Sequence, residues 1–153
     1  MNMAIQDFSQ SLPMMLYRAL DEILPKFRYI FNEFSLTEQQ WRILRVLWEH
    51  DRITLGRLSD LTLIPSPSLV GIVDRLIKAN LVSRERSDSD RRMIFVVATQ
   101  EGRKLEAKVM PRVNEIYKEI KEPFSKRQWG QLIDGLNQIS HLNKKTVANE
   151  HEE

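Results

Sequence analysis

The sequence predicts a mainly α-helical protein with one small β hairpin. Apolar residues recur at three- and four-residue spacing over most of the chain, and only five of the 153 residues are glycine. One pair of short runs, residues 81–86 and 93–98, has the β-branched and aromatic composition of strands. Hydrophobic residues make up 42% and charged residues 29%, which is typical of a globular domain with its own core.

The first predicted helix runs from about Asp7 to Glu33. Pro13 and Pro25 should start, kink or break it, because proline lacks a backbone N–H and its ring clashes with the preceding turn. The apolar face of this helix is broader than one helix needs for packing against a single neighbour, which favours a role in a subunit interface.

The second predicted helix has a clear beginning. Thr37 and Gln40 have the spacing of a capping box, and Leu36 and Trp41 occupy the positions of a hydrophobic staple. The core-facing stripe that follows is Ile43, Leu44, Leu47 and Trp48.

Two shorter helices follow, separated by a tight turn. The third is predicted from about Thr54 to Leu61, with Leu55, Leu58 and Leu61 on its buried side. The fourth begins where Ser66 can cap it, with Pro67 at the first helical position, and ends near Ala79. Its predicted buried residues are Leu69, Ile72, Val73, Leu76 and Ile77.

The remaining elements are a hairpin and two helices. The polar turn Ser87–Arg92 joins the two strand-like runs, and Thr99 can cap a fifth helix from Gln100 to Glu122, bent near Pro111. Ser125 and Gln128 form a second capping box for the sixth helix, with Phe124 and Trp129 as its staple. A polar tail follows from about Lys144 to Glu153, and it should be frayed.

This order of elements is that of a winged helix-turn-helix. A helix fits the major groove of DNA, its N-terminal residues reach base edges, and an arginine at a hairpin tip can enter the minor groove. We also expect an aspartate of the wing to hold an arginine fork in one rotamer. The predicted DNA-binding residues are Ser66, Pro67, Ser68, Val70, Gly71, Arg75, Lys78, Arg84, Arg86, Asp90, Arg91 and Arg92.

The distribution of charge agrees with DNA binding better than the net charge does. The formal net charge is only +2, but residues 36–100 contain ten basic residues, nine of them arginine, against eight acidic ones. Arginine forks match phosphates and base edges better than lysine does. We therefore expect double-stranded DNA as a partner.

The chain resembles the MarR-type regulators over nearly its whole length. The resemblance is carried by residues 36–44, 58–61, 66–69, 73–76, 88–92 and 97–102, including an Asp-x-Arg wing and a Thr-x-x-Gly helix start. Ala98 stands where the family usually has leucine before Thr99. The resemblance implies a homodimer on a pseudo-palindromic operator, with Asp90 and Arg92 as paired wing residues. The second-helix stretch looks like the branch that represses catabolic operons for aromatic acids such as homoprotocatechuate.

These observations together predict a fold class and a domain plan. The fold class is mainly α with a small β wing, a winged helix-turn-helix core flanked by N- and C-terminal dimerisation helices. The predicted segments are an N-terminal dimerisation helix (1–35), the DNA-binding domain (36–100), C-terminal dimerisation helices (101–145) and a flexible tail (146–153).

A small-molecule site between the dimer helices and the DNA-binding domain is a further expectation. Such a site needs apolar walls and a few polar anchors, and an arginine fork pairs with a carboxylate through two hydrogen bonds. The expected effector is a small aromatic (phenolic) acid or its thioester, which would release a repressor from DNA. The residues predicted to bind the effector are Leu16, Tyr17, Arg18, Leu20, Trp41 and Arg45. Further candidates are Leu44 as a wall and Arg28 and Arg42 as anchors.

Other classes of function have little support in the sequence. It has no nucleophile elbow, phosphate loop or dinucleotide motif, so no enzyme and no cofactor is predicted. The absence of cysteine excludes a thiolate zinc site or a cysteine redox switch, and His50, His141 and His151 are far apart. No signal peptide is visible and no apolar run approaches the roughly 20 residues of a membrane span, so a cytoplasmic protein without membrane contact is expected.

Two alternatives stay open. A winged helix can bind another protein instead of DNA, so the fold alone does not decide between these partners. A regulator could also respond to a different ligand, and the sequence leaves open whether it represses or activates.

Overall fold

The computed structural model describes residues 7–142 and divides them into two compact units, with the division between Asn114 and Glu115. The predicted tail from Lys144, the segment 146–153 and His151 lie outside the described residues. No helix in the described range is both long and apolar enough to cross a bilayer. The elements are α1 (Leu12–Glu33), α2 (Glu38–Glu49), β1 (Ile53–Thr54), α3 (Leu55–Thr62), α4 (Ser66–Lys78), β2 (Val82–Arg86), β3 (Ile94–Ala98), α5 (Gln100–Lys121) and α6 (Lys126–Ser140).

Helix α1 begins at Leu12, five residues later than predicted. A short 3-10 turn, Phe8–Gln10, precedes it, and the Ser11 hydroxyl donates a hydrogen bond to the Phe8 carbonyl at 2.8 Å. Pro13 lies in the first turn, where the missing N–H has no intrahelical partner to lose. Pro25 lies inside the helix and does not end it.

Helix α2 confirms the predicted capping box. The Thr37 hydroxyl accepts from the Gln40 backbone N–H at 3.1 Å, and the Gln40 side chain accepts from the Thr37 backbone N–H at 3.0 Å. These bonds satisfy two of the N–H groups that a helix start leaves unpaired. The predicted stripe is buried, and Ile43, Leu44 and Leu47 have no exposed surface.

Helices α3 and α4 differ from the prediction in several details, and the predicted core residues Leu55 and Ile77 are only half-buried. Leu61 is 40% exposed, and Thr62 is buried in its place because its hydroxyl can donate to the Leu58 carbonyl, at 2.6 Å. Ser66 is not the cap of α4: Pro65 occupies that position, and its carbonyl accepts from the backbone of Ser68 and Leu69.

The sheet has three antiparallel strands in the order β1-β3-β2. The predicted hairpin is confirmed, with Val82 paired to Ala98 and Arg86 to Ile94. The sequence analysis missed β1, whose two residues are too short to give a periodic pattern. Its buried Ile53 pairs with Val96, which is also buried.

The start of α5 is packed tightly against the base of the hairpin. Thr99 caps the helix as predicted, accepting from the Gly102 N–H at 3.1 Å and donating to the Asn80 carbonyl at 2.7 Å. Trp48 donates from Nε1 to the Gly102 carbonyl at 3.1 Å, which ties the end of α2 to the same turn. A Cβ at Gly102 would overlap the Leu81 carbonyl oxygen, so glycine is required for this approach.

The second unit contains the end of α5 and α6. The predicted capping box of Ser125 and Gln128 is confirmed at 3.2 and 2.9 Å. The predicted staple is also confirmed, since the Phe124 and Trp129 rings meet edge to face at 5.8 Å. The apolar side chains of α6 are largely uncovered, with Leu132, Ile133, Leu136 and Ile139 between 37% and 41% exposed.

We predict that Gly102→Ala destabilises the protein by about 1–3 kcal/mol, the range of core overpacking, because the added methyl meets the rigid backbone of Leu81. Urea unfolding followed by circular dichroism measures this. Gly56→Ala in α3 is the matched control, since nothing lies within 4 Å of its Cβ position and alanine favours helix. Equal stability of the two variants would contradict the prediction.

Candidate nucleic-acid interface

The outward face of α4 has small side chains at its N-terminal end. Ser66, Pro67, Ser68 and Val70 are all exposed. Gly71 adds no side chain, and the only atom within 4 Å of its Cβ position is Nη2 of Arg75, at 3.9 Å. The Arg75 guanidinium therefore lies back over Gly71, toward the helix start, as helical side chains tend to do. This face allows the helix backbone to approach a ligand surface closely.

Hydrogen bonds within the turn between α3 and α4 fix where α4 begins. The Ser59 hydroxyl donates to the Ile64 carbonyl at 2.6 Å and lies 3.4 Å from the Ser66 hydroxyl. Arg42 donates from Nη1 to the Thr62 carbonyl at 3.0 Å, which satisfies an otherwise unpaired helix-end acceptor. Leu63 adopts a left-handed conformation, with φ of 55°, to turn the chain.

An ion pair connects α4 to the hairpin. Arg84 of β2 donates from Nη2 to Oδ1 of Asp74 at 2.7 Å. Both side chains are partly exposed, so the pair contributes little to stability, but it restricts where the hairpin lies relative to α4. Arg84 thus has a positioning contact in addition to its predicted place at the interface.

The turn of the wing, residues 87–93, is organised by a buried serine. Ser87 is only 7% exposed, and its hydroxyl accepts from the backbone N–H groups of Ser89 and Asp90, each at 3.3 Å. The Asp90 carboxylate accepts from the backbone N–H of Arg92 at 3.0 Å. Asp90 and Arg92 are therefore paired, but through the backbone of Arg92. The expectation that the aspartate holds the guanidinium fork was wrong, because a local turn bond takes the carboxylate.

Five exposed cationic side chains remain on α4 and the hairpin. Within the described part of the chain none of their charged groups has a hydrogen bond or ion pair, so all are available to phosphates or base edges. They are Arg75, Lys78, Arg86, Arg91 and Arg92. Residues 7–142 contain no group of three side chains arranged to hold a metal ion.

The residues predicted to bind a small molecule lie on α1 and α2. Trp41 is half-buried and stacks on Phe31 with ring centroids 4.7 Å apart. Arg45 lies one helical turn beyond Trp41 and pairs with Glu49 at 2.7 Å. Leu16 is half-buried, and Tyr17 and Leu20 are 64% and 47% exposed.

The other arginine candidates for anchoring a carboxylate each have a protein partner. Arg18 donates to the Ser9 carbonyl at 2.9 Å, and Arg28 pairs with Glu38 at 3.3 Å. Arg42 donates a hydrogen bond to the Thr62 carbonyl at the end of α3. Leu44 has no exposed surface, which argues against a role as a pocket wall.

Sequence reasoning missed three features of the interface. The Asp74–Arg84 pair joins residues ten apart, for which no helical spacing gives a signal. Ser87 looked like an ordinary turn residue, although a serine that precedes a polar turn is a recognised turn-forming signal. Arg52 lies over the Phe95 ring at 4.4 Å, a contact made possible by the missed strand β1.

Comparison with known proteins identifies the family. Residues 36–94 match the MarR family. The chain is 34% identical to the HTH-type transcriptional regulator FarR of Neisseria gonorrhoeae, over 92% of this chain and 96% of that protein. It is 31% identical to the homoprotocatechuate degradative operon repressor of Escherichia coli, over 90% and 88%.

A solved structure is similar over the same extent. The crystal structure of NadR in complex with 4-hydroxyphenylacetate has a TM-score of 0.79 and 34% identity, covering 92% of this chain and 99% of that one. Fold, interface and similarity agree: the chain belongs to the MarR family of winged helix-turn-helix, DNA-binding transcription regulators.

Proposed function

We propose that the chain is a homodimeric repressor that binds a pseudo-palindromic operator and is released by a small aromatic carboxylic acid or its thioester. The proposal treats it as a regulator without catalytic activity, acting in the cytoplasm, where bacterial operators are. One combined observation supports the proposal most strongly. The N-terminal end of α4 has small side chains, and arginines on both α4 and the wing have no partner within the described residues.

The cationic groups support DNA over a protein partner. Arg75 and Lys78 project from α4, and Arg86, Arg91 and Arg92 project from the hairpin that Asp74 and Arg84 tie to it. A groove-binding helix beside a basic hairpin meets major-groove edges and neighbouring phosphates together.

The exposed apolar residues of each unit support a homodimer. In the first unit Phe8, Leu12 and Met15 are 49% to 74% exposed, and in the second unit α6 exposes four large apolar side chains. Uncovered apolar surface of this kind marks interfaces. A two-fold dimer would present two copies of α4 to half-sites about one DNA turn apart.

The relatives support an aromatic carboxylate as the effector. One regulates an operon for homoprotocatechuate degradation, and another binds 4-hydroxyphenylacetate. In this chain Trp41 and Arg45 lie on one face of α2, an aromatic surface beside a guanidinium. The Glu49 carboxylate that now pairs with Arg45 has the same chemistry as the carboxylate of such a ligand.

We predict that Arg75→Ala weakens binding to the DNA upstream of the chain's own gene by about 5- to 150-fold per half-site, because a base contact is worth roughly 1–3 kcal/mol. Arg92→Ala should also weaken it, through loss of a wing contact. Fluorescence anisotropy at physiological salt, against excess nonspecific duplex, measures the affinities. Lys104→Ala on α5 is the matched control for loss of one charge, since Lys104 pairs with Glu101 outside α4 and the wing.

Several results of this assay would contradict the proposal. Tight binding that is indifferent to sequence would contradict an operator-specific protein. Affinity unaffected by Arg92→Ala would contradict the assignment of the wing. No binding to any DNA would favour the protein-interaction alternative, whose affinity should lack the steep salt dependence of phosphate contacts.

We predict that Leu136→Arg converts the dimer to a monomer, because it places a charge in the apolar face of α6. Light scattering at low micromolar concentration gives the mass. Gln138→Arg, on the opposite side of α6, is the matched control and should remain dimeric. A wild-type monomer, or a dimer unaffected by Leu136→Arg, would contradict this interface.

We predict that calorimetry detects 4-hydroxyphenylacetate binding that Arg45→Gln weakens about tenfold or more, since a charge-assisted bond is lost. Glu49→Gln should tighten binding about twofold, because an exposed i,i+4 pair no longer competes for Arg45. The neutral analogue 4-hydroxyphenylethanol is the control and should not distinguish wild type from Arg45→Gln. No binding of the acid at millimolar concentration would contradict an arylacetate effector.

A further inference from the structure

We infer that Val70 is a specificity-determining residue that selects thymine in each operator half-site by packing on its C5-methyl group. This inference rests on the proposed function and names a base that the operator must contain. It follows from the chemistry that the N-terminal half of α4 presents to the major groove.

Val70 is an exposed apolar residue in the N-terminal half of α4. It is 41% exposed, while Leu69, Ile72, Val73 and Leu76 of α4 are at most 4% exposed and Ile77 is half-buried. A single exposed valine is unremarkable on most surfaces. On α4, however, it lies in the helix half whose side chains reach base edges when such a helix enters the major groove.

The neighbours of Val70 on α4 have little base preference of their own. Pro67 has no donor and Gly71 has no side chain, and the Ser66 hydroxyl already lies 3.4 Å from that of Ser59. Serine hydroxyls pair with several bases and discriminate among them weakly. Pro67 and Val70 are therefore the exposed apolar residues of this half, and substitution of Val70 distinguishes between them as the source of a base preference.

Asp74 is the acidic residue one turn beyond Val70 on α4. A free aspartate could accept a hydrogen bond from cytosine N4. Asp74 instead accepts on Oδ1 from Nη2 of Arg84 at 2.7 Å, and this ion pair weakens a competing preference next to Val70. The Arg75 guanidinium lies over Gly71, with Nη2 3.9 Å from the Cβ position there.

The base follows from the pattern that each pair presents in the major groove. Valine can neither donate nor accept a hydrogen bond, so it gains only from an apolar group. Among the four natural bases, thymine alone presents one there, its C5-methyl. An apolar contact with that methyl covers the exposed valine and removes both groups from water.

The test uses the full chain and duplexes obtained by in vitro selection from a random pool. Each thymine of the selected half-site is replaced singly by deoxyuridine, which removes the methyl and leaves the hydrogen-bonding pattern unchanged. At one position the wild type should lose about fourfold in affinity per half-site, and about fifteenfold when both half-sites are changed, the effect of one buried methyl group. Fluorescence anisotropy measures each affinity.

Variants at position 70 assign that effect to the valine. Val70→Ala should bind the thymine and deoxyuridine duplexes with a ratio near one, while Val70→Thr, which keeps a methyl in a β-branched side chain, should retain most of the wild-type ratio. Urea unfolding checks that both variants fold.

Two results would overturn the inference while leaving the regulator proposal intact. One is specific binding with no position sensitive to deoxyuridine. The other is a sensitive position whose ratio is the same in wild type and Val70→Ala, which would assign the methyl contact to another residue. Failure of the selection to enrich any sequence would instead contradict the proposed function, and this inference with it.

Discussion

The close approach of the first turn of α5 to the chain segment between α4 and β2 is the constraint on which the rest of the fold depends. Gly102 allows it, since any side chain there would overlap the Leu81 carbonyl. Thr99 bonds both to Gly102 and to the Asn80 carbonyl, and Trp48 bonds to Gly102 from the end of α2. The end of the recognition helix, the base of the wing and the start of α5 therefore cannot be repositioned independently.

The charged residues of α4 and the hairpin fall into two groups. Some make contacts that position the hairpin, and others have no partner within the described residues. Arg84 and Asp74 neutralise each other and set the hairpin beside α4, and the Asp90 carboxylate is used within the wing turn. The Asp74 carboxylate consequently repels incoming phosphates less than an unpaired carboxylate would. The remaining guanidinium groups, such as Arg75 and Arg92, are left without partners in the described chain and define the surface that DNA would contact.

The sequence predicted those parts of the fold that depend on local interactions. The capping boxes at Thr37 and Ser125 were predictable because each is complete within four residues. Strand β1 was not, because Ile53 is held by pairing with a strand more than forty residues away. On α4 and the wing, the predicted DNA-contact residues remain predictions, whereas the contacts of Asp74 and Ser87 depend on partners across a turn or between elements. Spacing alone does not reveal such partners.

The contacts of Trp48 and Gly102 also connect the predicted effector site to the base of the wing. Trp41 stacks on Phe31 and meets Trp48 edge to face at 5.5 Å, and Trp48 bonds to Gly102 at the base of the wing. A ligand that packs against Trp41 would thus lie two contacts from the turn that positions the wing. Such a ligand changes DNA affinity only if it binds two arrangements of this junction with different affinity, because a ligand with equal affinity for both shifts neither. Release of DNA therefore requires that the ligand-preferred arrangement bind the operator more weakly, and tight binding of an aromatic acid is by itself insufficient.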